Sequence, residues 1–163
     1  MSDIDKLLNS LLKSPGMRVM HFTNEGLLCK ELQEFCKSSE FESEYLILTL
    51  NKEYEQGLKE WENSFTKVKF VNEKRPKYHM QSKQYDYLFI ETLANDRVSF
   101  FKKVYSALKN AAPIFIFLAK NQKTLAYTLQ EELIECNFVA SNIMEFDNFL
   151  VVSSKKMHGW SGS

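Results

Sequence analysis

The chain has 163 residues, is 44% hydrophobic and 13% aromatic, and balances 21 Lys and Arg against 21 Asp and Glu. A length of this order suits one domain that buries roughly 70% of its unfolded surface, and the apolar content excludes a wholly disordered chain. Zero net charge also excludes a global field that would draw the chain to nucleic acid or to a membrane surface.

At the N-terminus, Ile4, Leu7, Leu8, Leu11 and Leu12 recur at helical spacing, which predicts an amphipathic helix within residues 1–14. Ser2 or Asp3 can cap it and Pro15-Gly16 ends it. Its apolar face is expected on its own domain, with a partner as the other host. The same stretch, MSDIDKLLNSLLK, lacks the apolar centre of a signal peptide, and no apolar run reaches bilayer-spanning length. A soluble, cytoplasmic protein is the expectation.

Short apolar runs follow at 17–22 (MRVMHF), 45–50 (YLILTL), 67–71 (KVKFV), 85–90 (YDYLFI) and 114–118 (IFIFL). Helical stripes separate most of them: Leu28, Leu32 and Phe35; Tyr54, Leu58 and Trp61; Val98, Phe101, Tyr105 and Leu108. Strands alternating with helices predict a parallel sheet covered on both faces. YLILTL and IFIFL are apolar at nearly every position, as buried strands are. In KVKFV, Lys67 and Lys69 alternate with Val68 and Phe70, the pattern of an edge strand. Residues 72–84 contain Pro76 and no apolar stripe, so a loop is expected there.

A helix over 123–136 presents Leu125, Leu129, Leu133 and Cys136, and Asn137 can take the left-handed conformation that closes it. FVASNIMEF and FLVVSSKK then flank Asp147-Asn148, a pair suited to a tight hairpin turn. Five parallel strands with a terminal antiparallel hairpin are expected to form one domain over 1–155. A short tail, 156–163, carries Trp160, which folds back or docks on a partner.

Cys29, Cys36 and Cys136 have no metal-ligand or redox spacing, and His79 and His158 lack supporting ligands nearby. Packing thiols in a reducing compartment and no metal site are expected. Charge is uneven: residues 30–62 hold nine Glu against four Lys, whereas 67–83 hold six Lys and Arg against one Glu. In the latter, Lys74, Arg75, Lys77 and Lys83 surround Tyr78. Such a strip could grip phosphates and stack a base, or form an ordinary solvated loop. The second reading is preferred, and RNA binding through Lys74, Arg75 and Lys77 is the weaker expectation.

The plan resembles the class I S-adenosylmethionine-dependent methyltransferases over residues 3–155. YDYLFIET is similar to that family's fourth strand, FFKKVYSALKNAAPIFIFLAK to its helix, loop and fifth strand, and EELIECNFVASNIM to the helix entering strand six. The resemblance implies an α/β three-layer α/β/α sandwich around a seven-stranded, mostly parallel sheet of order 3-2-1-4-5-7-6, with the last strand antiparallel. It also implies S-adenosylmethionine as cofactor, bound at a turn that the family builds as acid-x-Gly-x-Gly-x-Gly.

Here that turn is His21-Phe22-Thr23-Asn24-Glu25-Gly26. His21 replaces the acid, and Thr23 with Asn24 or Glu25 replaces the early glycines, whose missing side chains let a ligand approach the backbone. The resemblance assigns the cofactor-facing positions to His21, Thr23, Asn24, Gly26, Asn51, Asn72 and Glu91. Asn51 and Asn72 stand where acids would hold ribose and adenine. Glu91 and Thr92, ending the fourth strand at the switch point, are the candidate substrate-facing pair, with solvent-facing capping as the alternative for Glu91. His21 is expected to be a satisfied, half-buried side chain. Catalytic residues are not identified. The functional expectation is a methyltransferase-like protein with a degenerate turn, weak or absent cofactor binding and a protein-interaction role; an active methyltransferase is the alternative.

Overall fold

The computed structural model describes residues 2–37, 43–78 and 84–157. Seven strands make one sheet: β1 (Arg18–Phe22), β2 (Glu44–Thr49), β3 (Thr66–Phe70), β4 (Tyr87–Ile90), β5 (Pro113–Ala119), β6 (Phe138–Glu145) and β7 (Phe149–Lys156). Their order is β3-β2-β1-β4-β5-β7-β6. The first five are mutually parallel, and β7 runs antiparallel to both β5 and β6. This is the expected seven-stranded three-layer plan. The hairpin turns at Asp147-Asn148, with Phe146 N–H donating to Phe149 O at 3.0 Å.

Period-two alternation divides the sheet between two cores. Val19, Tyr45, Ile47, Tyr87 and Phe89 point to one face, where α1 (Asp3–Asn9) and α2 (Cys29–Lys37) pack. Met20, Phe22, Leu48, Leu88 and Ile90 point to the other, under α4 (Arg97–Ala107) and α5 (Lys123–Glu135). Ser2 caps α1 by accepting from Asp5 N–H. That helix stops at Asn9, short of Pro15-Gly16, which leaves Leu12 86% exposed instead of in the buried stripe. The stripe Tyr54, Leu58, Trp61 forms only α3 (Glu55–Leu58) between two single 3-10 turns, and of the three only Leu58 is buried. Asn137 closes α5 at φ +70°, as its position suggested. β7 extends through Lys156, one residue beyond the expected domain end. Trp160, His158, His79 and Lys83 lie outside the described residues.

Between β3 and β4 no described residue is helical; 72–78 form a strap across the α4 face. Its buried end is Tyr78, whose ring sits 5.6 Å from Phe22 and 5.7 Å from Phe100 and whose hydroxyl donates to Glu73 O at 2.5 Å. The Glu73 carboxylate accepts Asn95 and Asp96 N–H at 3.0 and 2.9 Å, pinning the strap to the entry of α4.

β3 is an edge, as its lysines implied, and its outward N–H groups are occupied by its own neighbourhood. Thr66 N–H donates to Asn63 Oδ1, Val68 N–H to Glu62 Oε2 and Phe70 N–H to Glu55 Oε2, at 2.8, 3.2 and 3.2 Å. These caps deny a second strand its hydrogen-bond partners. Replacing both Glu55 and Glu62 by Ala is expected to lower stability by about 2 kcal/mol and to produce larger species in size-exclusion chromatography; an unchanged urea midpoint and elution volume would contradict the capping role.

Candidate functional site

Because β1 and β4 are neighbours whose onward connections leave on opposite faces, their C-terminal ends open the switch-point crevice of an α/β sheet. His21, on the α2 face of β1, is completely buried there rather than half-buried. Its Nδ1 lies 2.8 Å from Tyr45 Oη on β2, and its Nε2 bonds Glu91 just beyond β4. The imidazole and phenol rings lie nearly parallel, 13° apart. Glu91 Oε2 also accepts Leu28 N–H at 3.3 Å, at the entry to α2. One carboxylate therefore joins the end of β4, the middle of the sheet and a helix N-terminus, where negative charge is favoured.

The turn after β1 is closed on itself. Thr23 Oγ1 accepts Gly26 N–H at 2.8 Å, and Thr92 Oγ1 accepts Asn24 N–H at 3.0 Å. Thr49 Oγ1, at the end of β2, donates to Asn24 Oδ1 at 2.8 Å and accepts Asn51 N–H at 3.1 Å. Thr23 and Thr49 are each only 1% exposed. Gly26 has φ +70°, which explains a glycine at that position. A Cβ there would meet Leu58 Cδ2 at 3.0 Å and Cys29 Sγ at 3.1 Å, so its open side faces the protein's own interior.

His21, Thr23, Asn24, Gly26, Glu91 and Thr92 are thus brought together. The Asn51 backbone meets this cluster through Thr49 Oγ1, whereas the Asn51 and Asn72 side chains turn to their own neighbours. Asn51 is exposed and caps the 3-10 turn that follows it, with its Oδ1 accepting Glu53 N–H and its Nδ2 donating to Glu53 Oε1. Asn72, also exposed, accepts Lys74 N–H at 2.9 Å. Asp86, at the opposite sheet end, holds Arg18 N–H and the Lys109 ammonium, a structural role. Thr49 was legible as a lone hydroxyl ending an apolar strand, whereas nothing in YLILTL marks Tyr45 as the partner of His21.

Cys29 Sγ approaches His21 Nδ1 at 4.0 Å, but burial pushes the thiol up to about 12, with the Glu91 charge adding to the effect. Burial raises Cys36 likewise to about 12 and lifts the Tyr45 phenol well above its ordinary value. A protonated thiol is a poor nucleophile, so Cys29 packs rather than reacts. Among the described residues, no group of three or more His, Cys, Asp and Glu is placed to hold a metal, and no helix is long and apolar enough to cross a membrane.

No protein-family model and no curated protein sequence matches the chain. Solved structures do. The CMeT domain of the citrinin polyketide synthase superposes with TM-score 0.76 at 10% identity over 96% of this chain; the chain spans only 51% of that chain's length. A SAM-dependent methyltransferase from Aquifex aeolicus gives 0.74 at 13% identity, covering 94% of this chain and 89% of its own. A Haloferax volcanii putative methyltransferase complex with the Trm112 activator gives 0.73 at 8% identity, over 96% and 89%. The chain therefore has the class I methyltransferase-like Rossmann fold. Identities this low speak for the fold alone.

Two outcomes follow from the geometry. Glu91→Ala leaves His21 Nε2 unpartnered in a dry site and is expected to cost about 3 kcal/mol in urea unfolding; the pairing is refuted by a loss below about 0.5 kcal/mol. The thiols of Cys29 and Cys36 should resist Ellman's reagent in the native protein and react on unfolding, and rapid native labelling of either would contradict their burial.

Proposed function

We propose that this chain is a methyltransferase-fold protein that has given up ordinary S-adenosylmethionine binding and works through protein contacts. The observation that carries this reading is the self-satisfied turn: its Asn24, Gly26 and Leu28 N–H groups already donate to Thr92, Thr23 and Glu91. Its one glycine opens onto Leu58 and Cys29 instead of a ligand space. A dinucleotide-like ligand approaches bare backbone and helix N–H groups, and here side chains stand in both places. Asn51 and Asn72 stand where acids would take ribose and adenine hydrogen bonds, and each side chain is engaged with its own following residues. The residues present do not fit the adenosyl group in the usual mode.

Protein contact as the role is supported by the contrast between acidic and basic segments and a structural neighbour that is itself in complex with an activator protein. A cytoplasmic location accords with this reading. The competing reading is an active S-adenosylmethionine-dependent methyltransferase, favoured by the nearly complete mutual coverage with the Aquifex enzyme.

Isothermal titration and thermal shift with S-adenosylmethionine separate the two. A ligand present at a hundred times its Kd would add about 2.7 kcal/mol and raise Tm by several degrees. The expected result is no resolved heat and no Tm change at millimolar ligand. Micromolar binding would establish the competing reading.

A further inference from the structure

The strap and α4 enclose a groove of about 550 Å³, walled by Pro76 on one side and by Val98, Ser99, Lys102, Lys103 and Ser106 on the other, with Asp96 at one end. It lies on the α4 face, away from the His21–Glu91 crevice. The groove is held rigidly at its base: Lys103 Nζ donates to Glu73 O at 2.6 Å and sits 5.3 Å from the Tyr78 ring centroid. Asn72 O accepts Arg75 N–H at 3.0 Å, fixing the turn of the strap. Beyond that base, Lys74, Arg75 and Lys77 project from the strap as exposed residues, and Lys102 is exposed on α4.

Among the described residues, Lys74, Arg75, Lys77 and Lys102 make no ion pair, whereas Arg97 one turn away is taken by Glu132 at 2.7 Å. The nearest acid in the strap, Glu73, is turned away onto the Asn95 and Asp96 amides. Lys102 on the hydroxyl-bearing wall and three exposed cations flanking Pro76 in the strap, on a chain that is neutral overall, favour an anionic visitor.

We propose that this groove binds an acidic segment of a partner protein, lying along α4. The proposal rests on the protein-contact half of the reading above and names the chemistry of that contact. Nucleic acid is disfavoured by Tyr78, the aromatic that would stack a base: it is 5% exposed, packed on Phe22 and Phe100, with its hydroxyl committed to Glu73 O. A single-stranded nucleic-acid site needs an accessible ring beside its cations. The groove also has a suitable length. Val98 to Ser106 spans about 12 Å of helix, the length of roughly four extended residues, so a short run of Asp and Glu can lie along the wall that carries Lys102, beside the strap.

The test is fluorescence anisotropy at 50 mM NaCl with a labelled eight-residue peptide of Asp, Glu and Ser, its Lys-for-acid counterpart, and a twelve-nucleotide single-stranded RNA. The acidic peptide is expected to bind with a Kd of roughly 10–100 µM, weakening at least fivefold at 300 mM NaCl; the Lys peptide should not bind. The triple variant Lys74→Ser, Arg75→Ser, Lys77→Ser should lose at least tenfold in affinity with its thermal midpoint unchanged, since these exposed side chains hold nothing else. Lys102→Glu should do the same from the opposite wall. Absence of acidic-peptide binding up to 1 mM, binding that both variants leave intact, or tighter binding of the RNA would each overturn the proposal. Cofactor titration is scored separately, so acidic-peptide binding by a protein that also takes S-adenosylmethionine would refute the loss of cofactor and leave the groove standing.

Discussion

The contact on which the centre of this protein depends is the buried chain from Tyr45 through His21 to Glu91. It crosses three adjacent strands on one face of the sheet and ends at the first turn of α2. Each polar group in it has a partner, as burial requires when an unpaired polar atom costs several kcal/mol. The Glu91 carboxylate is folded into the sheet's own hydrogen bonding, and the threonines around it pair with the β1–α2 turn.

Hydroxyl groups finish what the carboxylate begins. Thr23, Thr49 and Thr92 come from three different strand ends and converge on the backbone and side chain of the same β1–α2 turn. Glycines would leave those amides available to a visitor, whereas threonines supply acceptors from within. The same economy of side chains recurs at the β3 edge, where Asn63, Glu62 and Glu55 occupy outward amides, and at α4, where Glu73 reaches from the strap to the helix entry. In all three places a polar side chain of the chain itself occupies a backbone amide.

Much of the architecture was legible because it follows from period. Alternating apolar runs and helical stripes imply a covered parallel sheet, Lys67 and Lys69 imply its edge, and Asn137 and Asp147-Asn148 imply the two final turns. What escaped was decided by distant partners. Leu12 continues a perfect helical stripe, yet α1 ends at Asn9 and leaves it in water. Tyr78 looks like an exposed aromatic among cations but is drawn inward by Phe22 and Phe100. The crevice residues on β1 and β4 were recoverable from topology, while Tyr45 was not, since its pairing with His21 depends on strand register. Ala111 shows the same limit from the other side: its φ of +65° is a conformation that the sequence KNAAP does not advertise.

The hairpin has a bearing on how the chain acquires this shape. β7 lies between β5 and β6, and Asp3 near the N-terminus accepts Asp147 N–H at its turn. Until β7 has been synthesised, β5 offers a bare, strongly apolar border, and α1 lacks one of its anchors. A chain halted before residues 149–156 would present Ile114–Leu118 as an open template for association.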